Sequence, residues 1–174
     1  MTSQTRNPVS TVSETSTLAQ TIAHLAYVIG ADRFPTGERA ALKRLDPGGP
    51  ASLPFYRFAF RHLPDNWERH QPAWMTLIAG IALMCPKPHN PKRPVGLALA
   101  KAGYSEKRLE RLLAAEGETL RTLTLRAARF LAAKGESVNW TDFARVLLAT
   151  EPAKYEEARL HIARDFYRQL DKAR

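Results

Sequence analysis

A single cysteine, Cys85, is all the thiol this 174-residue chain carries. That excludes an internal disulfide framework and a thiolate-rich zinc site, and makes a reducing cytoplasm the simplest compartment. No apolar run approaches the ~20 residues needed to cross a bilayer, so no membrane partner is expected. Residues 1–13 lack the basic start and apolar stretch of a secretory signal; rich in Ser and Thr, with Arg6 as their only basic residue, they read as a disordered leader. There is no phosphate-cradling glycine loop, because Gly48-Gly49 lies between prolines and is not followed by Lys-Ser or Lys-Thr. None of the five histidines, His24, His62, His70, His89 and His161, has a metal-ligand spacing with a carboxylate or cysteine companion. His62 and His70 flank Trp67 in a turn and are expected to hydrogen-bond locally. No serine sits in a nucleophile elbow, and Asp65, Glu68, Glu106 and Glu110 are spread along polar faces. The expectation is a protein that is not an enzyme and uses no metal or cofactor.

Acid is also scarce relative to base. The chain holds 26 Lys and Arg against 17 Asp and Glu, a formal charge of +9, which favours an anionic partner such as nucleic acid or an acidic membrane face. The surplus is not in a tail: residues 31–95 carry 10 basic and 5 acidic side chains and residues 96–135 carry 8 and 4, whereas both ends are balanced. At this length the chain buries one good core but not two ordinary domains. The expected organisation is a leader over 1–13, an N-terminal helical lobe over 14–85, a Pro-rich basic connection over 86–94 and a C-terminal helical lobe over 95–174.

No strand alternates convincingly, and the fold class is all-α. A first helix is expected from about Glu14 to Ile29, with Leu18, Ile22, Leu25 and Ile29 on its apolar side. Thr36 can cap a short helix from Gly37 to Leu45, Ser52 caps the next, and Pro72 opens an apolar helix through Met84 that belongs at the centre. Four prolines between Pro86 and Pro94 forbid regular pairing, and that segment displays Lys87, Lys92 and Arg93. A short helix over Val95 to Ala102 follows. Asn139 caps a later helix with Asp142 in its first turn, and Pro152 opens the last, with Tyr155, Ile162, Phe166 and Leu170 as its stripe.

Between these lie two basic helices. Leu109, Leu112 and Leu113 make one stripe, leaving Lys107, Arg108 and Arg111 outside it. In the next helix Leu120, Leu123, Ala127, Phe130 and Leu131 fall within an arc of roughly 100°, opposite Arg121, Arg126 and Arg129. Lys43, Arg44 and Arg57 add cations on earlier helices. A charged helix face is often merely solvated, but one sign is in surplus here, and the pattern fits phosphate binding. The aromatic residues Phe55, Tyr56, Phe58, Phe60, Trp67 and Trp74 read as core, with base stacking as the alternative.

Several segments in order resemble one family, the CasB small subunit of Cascade, the type I-E CRISPR surveillance complex. They are Gly37-Glu-Arg-Ala-Ala-Leu-Lys-Arg44, Leu53-Pro-Phe-Tyr-Arg57, Trp67-Glu-Arg-His-Gln71, Gly96-Leu-Ala-Leu-Ala100, Ser105-Glu-Lys-Arg-Leu-Glu-Arg-Leu-Leu113, Leu125-Arg126, Val138-Asn-Trp-Thr-Asp-Phe-Ala144 and Ile162-Ala-Arg-Asp-Phe-Tyr167. The resemblance implies a non-enzymatic helical protein, present as two copies beside other Cascade subunits and crRNA, whose basic surface supports target and displaced DNA strands in the R-loop. Base pairing with the guide then supplies sequence specificity, and the protein meets only backbone. On the family pattern Lys43, Arg44, Lys107, Arg108 and Arg126 fall at DNA-contacting positions. Arg57, Arg111, Arg129, Lys87, Lys92 and Arg93 are added by charge placement. Arg39 has two candidate roles, a DNA contact or an internal ion-pair partner, and the structural one is preferred. The chain departs from the pattern at Leu97 and Ala127, where members often have arginine; Lys101 and Arg129 stand nearby. Two other readings remain at this point: a free-standing helical DNA-binding regulator, and a basic scaffold without nucleic-acid contact.

Overall fold

The computed structural model describes the backbone of residues 8–174 and the side chains from Thr17 onward. Helices follow one another as α1 (Pro8–Gly30), α2 (Thr36–Lys43), α3 (Leu53–His62), a 3-10 turn (Trp67–His70), α4 (Gln71–Leu83), α5 (Val95–Lys101), α6 (Glu106–Ala114), α7 (Gly117–Ala133), α8 (Trp140–Leu148) and α9 (Pro152–Ala173). Among the described residues there is no strand, only an isolated bridge between His89 and Val138, so the all-α expectation holds. The first helix starts at Pro8, ahead of the expected Glu14. Residues 1–7 of the expected leader lie outside the described residues.

Helix α4 is apolar on every side, and such a helix must be surrounded. Every residue from Ala73 to Ala82 is buried, with α1, α2, α7 and α8 packed around it. Thr76, the polar residue in that stretch, returns its hydroxyl to the Pro72 carbonyl at 2.8 Å. The Trp140 indole lies on Gly80, where a β-carbon would come within 2.1 Å of the ring. One buried cluster runs from Ile22 to Phe166, so the halves on either side of 86–94 share a core.

Helix starts follow local chemistry. Ser52 Oγ accepts the Phe55 N–H (3.4 Å), Ser105 Oγ that of Arg108 (3.3 Å), and Asn139 Oδ1 that of Thr141 (3.1 Å). Thr36 does not cap α2. Pro35 does, through its carbonyl, which accepts the Arg39 N–H at 2.9 Å, and this places Thr36 inside the first turn. Helix α7 ends at Gly135 (φ +68°), where Gly135 N–H meets the Ala132 carbonyl and Glu136 N–H the Leu131 carbonyl, the paired bonds of a glycine-terminated helix.

The Pro-rich segment is pinned rather than loose. Asn90 N–H donates to the Val138 carbonyl (3.0 Å), Asn139 N–H to the Arg93 carbonyl (2.8 Å), and the Trp140 N–H at the start of α8 to His89 Nδ1 (3.1 Å). That last bond needs Nδ1 unprotonated, and burial pushes the His89 pKa below its ordinary value. A lowered histidine pKa contributes stability that is present above about pH 6.5 and lost as pH falls through the folded value. His89→Ala is therefore expected to cost about 1 kcal/mol at pH 7.5, a fall of roughly 2 to 4 °C in melting temperature. Thermal melts of both proteins should draw together as pH falls below about 6.5.

Asp142 does more than favour its own helix. Almost fully buried, its carboxylate accepts the Val95 N–H at 3.0 Å and so caps α5, whose own N-cap, Pro94, offers no side-chain acceptor. Burial raises its pKa, and His161 and Arg145 lie 3.7 and 3.9 Å away.

Candidate nucleic-acid interface

Helices α6 and α7 form the basic corner. On α6, Leu109 and Leu112 turn inward and Leu113 is half-buried, so Lys107, Arg108 and Arg111 stand in solvent as their spacing predicts. The Arg108 guanidinium lies 5.9 Å from the centroids of both Tyr104 and Phe130, and Lys134 Nζ lies 5.8 Å from the same Phe130 ring. Tyr104 and Phe130 meet edge to face at 5.2 Å. An aromatic pair thus fixes the stems of two cations from different helices while leaving the charges wet. Arg126 and Arg129 are exposed on the outer side of α7. Among the described residues no ion pair engages Lys107, Arg108, Arg111, Arg126, Arg129 or Lys134.

One face differs from its expected position. Thr124, Leu125 and Ala128 are buried on α7 along with Leu120, Ala127 and Leu131. The inward arc is therefore rotated toward Thr124, because small residues face the crowded centre where α4 packs. Arg121 falls inside that arc, between Ala128 and Leu125: it is half-buried, with Nε out of solvent and unpartnered, and does not join Arg126 and Arg129. Lys134, by contrast, belongs to the corner although its sequence position marked it only as following the helix; the four-residue step from Phe130 is the signal that finds it.

The other candidates are separate. Lys43 ends α2 half-buried, and Arg44 follows it exposed. Arg57 is exposed on α3 with Glu38 at 4.0 Å, an ion pair too open to hold it. Lys87 and Lys92 are exposed in the Pro-rich segment. Arg93 is committed elsewhere: its Nε donates to Glu136 Oε2 at 2.7 Å, its terminal nitrogen pairs with the same oxygen, and the pair clasps that segment to the end of α7. Arg39 takes its structural role, donating to the carbonyls of Ile29 (2.8 Å) and Ala31 (2.7 Å) at the end of α1. Leu97 is half-buried and Ala127 fully buried; Lys101 and Arg129 are exposed nearby.

Two of the five histidines, His24 and His62, meet across the chain, which their spacing did not reveal. His62 Nδ1 lies 3.2 Å from His24 Nε2, and burial, then His24, then Arg61 lower the His62 pKa. His62 therefore makes its hydrogen-bond contact with α1 and not locally within its turn. Among the described residues no group of three or more His, Cys, Asp or Glu is placed to hold a metal ion, and no helix is long and apolar enough to cross a membrane.

Residues 38–167 match the family model described as CRISPR-associated protein Cse2. The chain belongs to the Cse2 family. That span opens inside the Gly37–Arg44 motif and closes at Tyr167, the last residue of the final one quoted above, so it includes α3 through α8 and most of α9. The family assignment agrees with the resemblance drawn from those motifs. No individual curated protein matches the chain.

Proposed function

We propose that this Cse2-family chain is the non-catalytic small subunit of a cytoplasmic type I-E Cascade complex, where it holds the DNA backbone without reading sequence. It stabilises the target and displaced strands in the R-loop opened by the crRNA, beside other Cascade subunits and a second copy of itself. The observation that carries this reading is the α6–α7 corner, where six cations that form no ion pair among the described residues are presented by α6, α7 and the residue that caps α7, with an aromatic clamp beneath them. Such a surface meets phosphates. Lys43, Arg44, Arg57, Lys87 and Lys92 extend the same role as further exposed or half-exposed cations. Arg93 contributes to it indirectly by fixing the loop that carries Lys87 and Lys92.

A sequence reader concentrates base-contacting side chains at the start of one recognition helix, whereas these cations are divided between helices. Competition binding tests the distinction. Unrelated duplexes of equal length should compete within about twofold of one another, because backbone contacts carry no sequence information. A sequence selected from a random pool that binds a hundredfold tighter would establish the free-standing regulator instead.

A further inference from the structure

Helix α3 carries an apolar stripe whose outer side stays open to solvent. At about 100° per residue, Leu53, Tyr56 and Phe60 fall within an arc of roughly 60°, on the side opposite buried Phe55, Phe58 and Ala59. They are 79, 37 and 74% exposed. The two rings are not loose. Their planes lie within 26° of each other with centroids 6.4 Å apart, and both rest against buried Trp67, Tyr56 at 6.3 Å and Phe60 edge to face at 5.7 Å. Trp67 is itself held by Phe55 at 5.5 Å.

Beside this stripe runs a second one. Arg57 and Arg61 each follow a ring by one residue, are exposed, and share its four-residue step, about 6 Å along the helix axis. Each repeat thus offers a flat apolar face and, one position round the helix, a guanidinium. A ligand that fits must be planar and apolar at one edge and anionic at the other, with both features repeating along its length. Unpaired nucleotides have that form, and a duplex does not, since its base faces are stacked on each other.

We infer that the Tyr56–Phe60 face of α3, flanked by Arg57 and Arg61, is a base-stacking platform for an unpaired nucleic-acid strand. Resting on the function proposed above, the inference assigns this face to the bases of the displaced DNA strand and leaves the phosphates, of single strand or duplex, to the α6–α7 corner. Rings pre-positioned by Trp67 lose little freedom on binding, and stacking on them is indifferent to base identity.

The test is anisotropy with three labelled probes of one length: a thymidine oligonucleotide, the same backbone with abasic sites, and a duplex. The wild-type chain should bind the thymidine strand at least about tenfold more tightly than the abasic one, within the roughly 5- to 150-fold expected per stacked base. Tyr56→Ala with Phe60→Ala should erase that difference and leave duplex affinity unchanged, while the lost contacts with Trp67 lower the melting temperature by only a few degrees and leave the chain folded; Phe60→Trp should preserve the difference. Equal wild-type binding of thymidine and abasic strands overturns the platform while leaving the phosphate corner standing. Failure to bind any of the three probes removes the DNA reading itself and the platform with it. A double alanine variant that keeps the thymidine preference but drops out of the reconstituted complex would identify the face as a protein contact and overturn the inference.

Discussion

Gly96→Ala is expected to destabilise the fold by about 3 kcal/mol or more, lowering the melting temperature by roughly 6 to 12 °C. A β-carbon at Gly96 would lie 2.1 Å from the Ile162 carbonyl oxygen and 2.7 Å from the Phe166 backbone nitrogen. Both are backbone atoms of α9, so no rotamer change relieves the clash, and only separating α5 from α9 would. That separation opens the seam where Ile162 and Phe166 are buried, and it strains the Asp142 bond that caps α5. Alanine's better helix propensity, about 1 kcal/mol, offsets only part of the cost. Gly37→Ala on α2 is the control. No atom stands within 4 Å of the would-be β-carbon there, so that change should be neutral or stabilising by about 0.4 to 1 kcal/mol. Thermal or urea denaturation of the two variants side by side reads the contrast.

Reversing charge at Lys107, Arg108 and Arg126 together should reduce single-stranded DNA affinity at least about 10²-fold at 0.1 M salt. Each neutralised phosphate adds roughly 0.7 to the slope of log K against log salt on a single strand, hence about fivefold per contact at that concentration. Three contacts then multiply to about 10², before the repulsion added by three glutamates. All three side chains are exposed and unpaired among the described residues, so the melting temperature should change little. The one structural interaction removed is Arg108 over its two rings, about 0.5 to 1 kcal/mol at an exposed site. A folded triple variant with unchanged affinity would remove α6 and α7 from the interface.

What could be read without coordinates was whatever depends on near neighbours in sequence. The caps at Ser52 and Asn139 act on N–H groups three and two residues away, and the central place of α4 follows from its being apolar throughout. The exposed cations of α6 follow from the spacing of its leucines. What escaped was set by long-range packing. The His24–His62 contact spans 38 positions, the Arg93–Glu136 clasp 43 and the Asp142–Val95 cap 47, and none leaves a local signature. Arg121 and Arg126 are five residues apart on one helix, yet burial of Thr124 and Ala128 drew only the first toward the core. The aromatic residues of α3 divided for the same reason: Phe55 and Phe58 face the core while Tyr56 and Phe60 remain outside, although composition alone treats them alike.

The central claim, a surface that holds DNA by its phosphates, is tested most directly by the salt dependence of binding. Fluorescence anisotropy of an arbitrary single strand with the wild-type chain, repeated across several salt concentrations, should give log K falling with log salt at a slope near −4, as about six phosphate contacts require. The charge-reversed triple variant should fall to a slope of about −2 or shallower. Absence of binding even at low salt, or binding that does not weaken as salt rises, would contradict the account and favour a basic scaffold that meets protein alone.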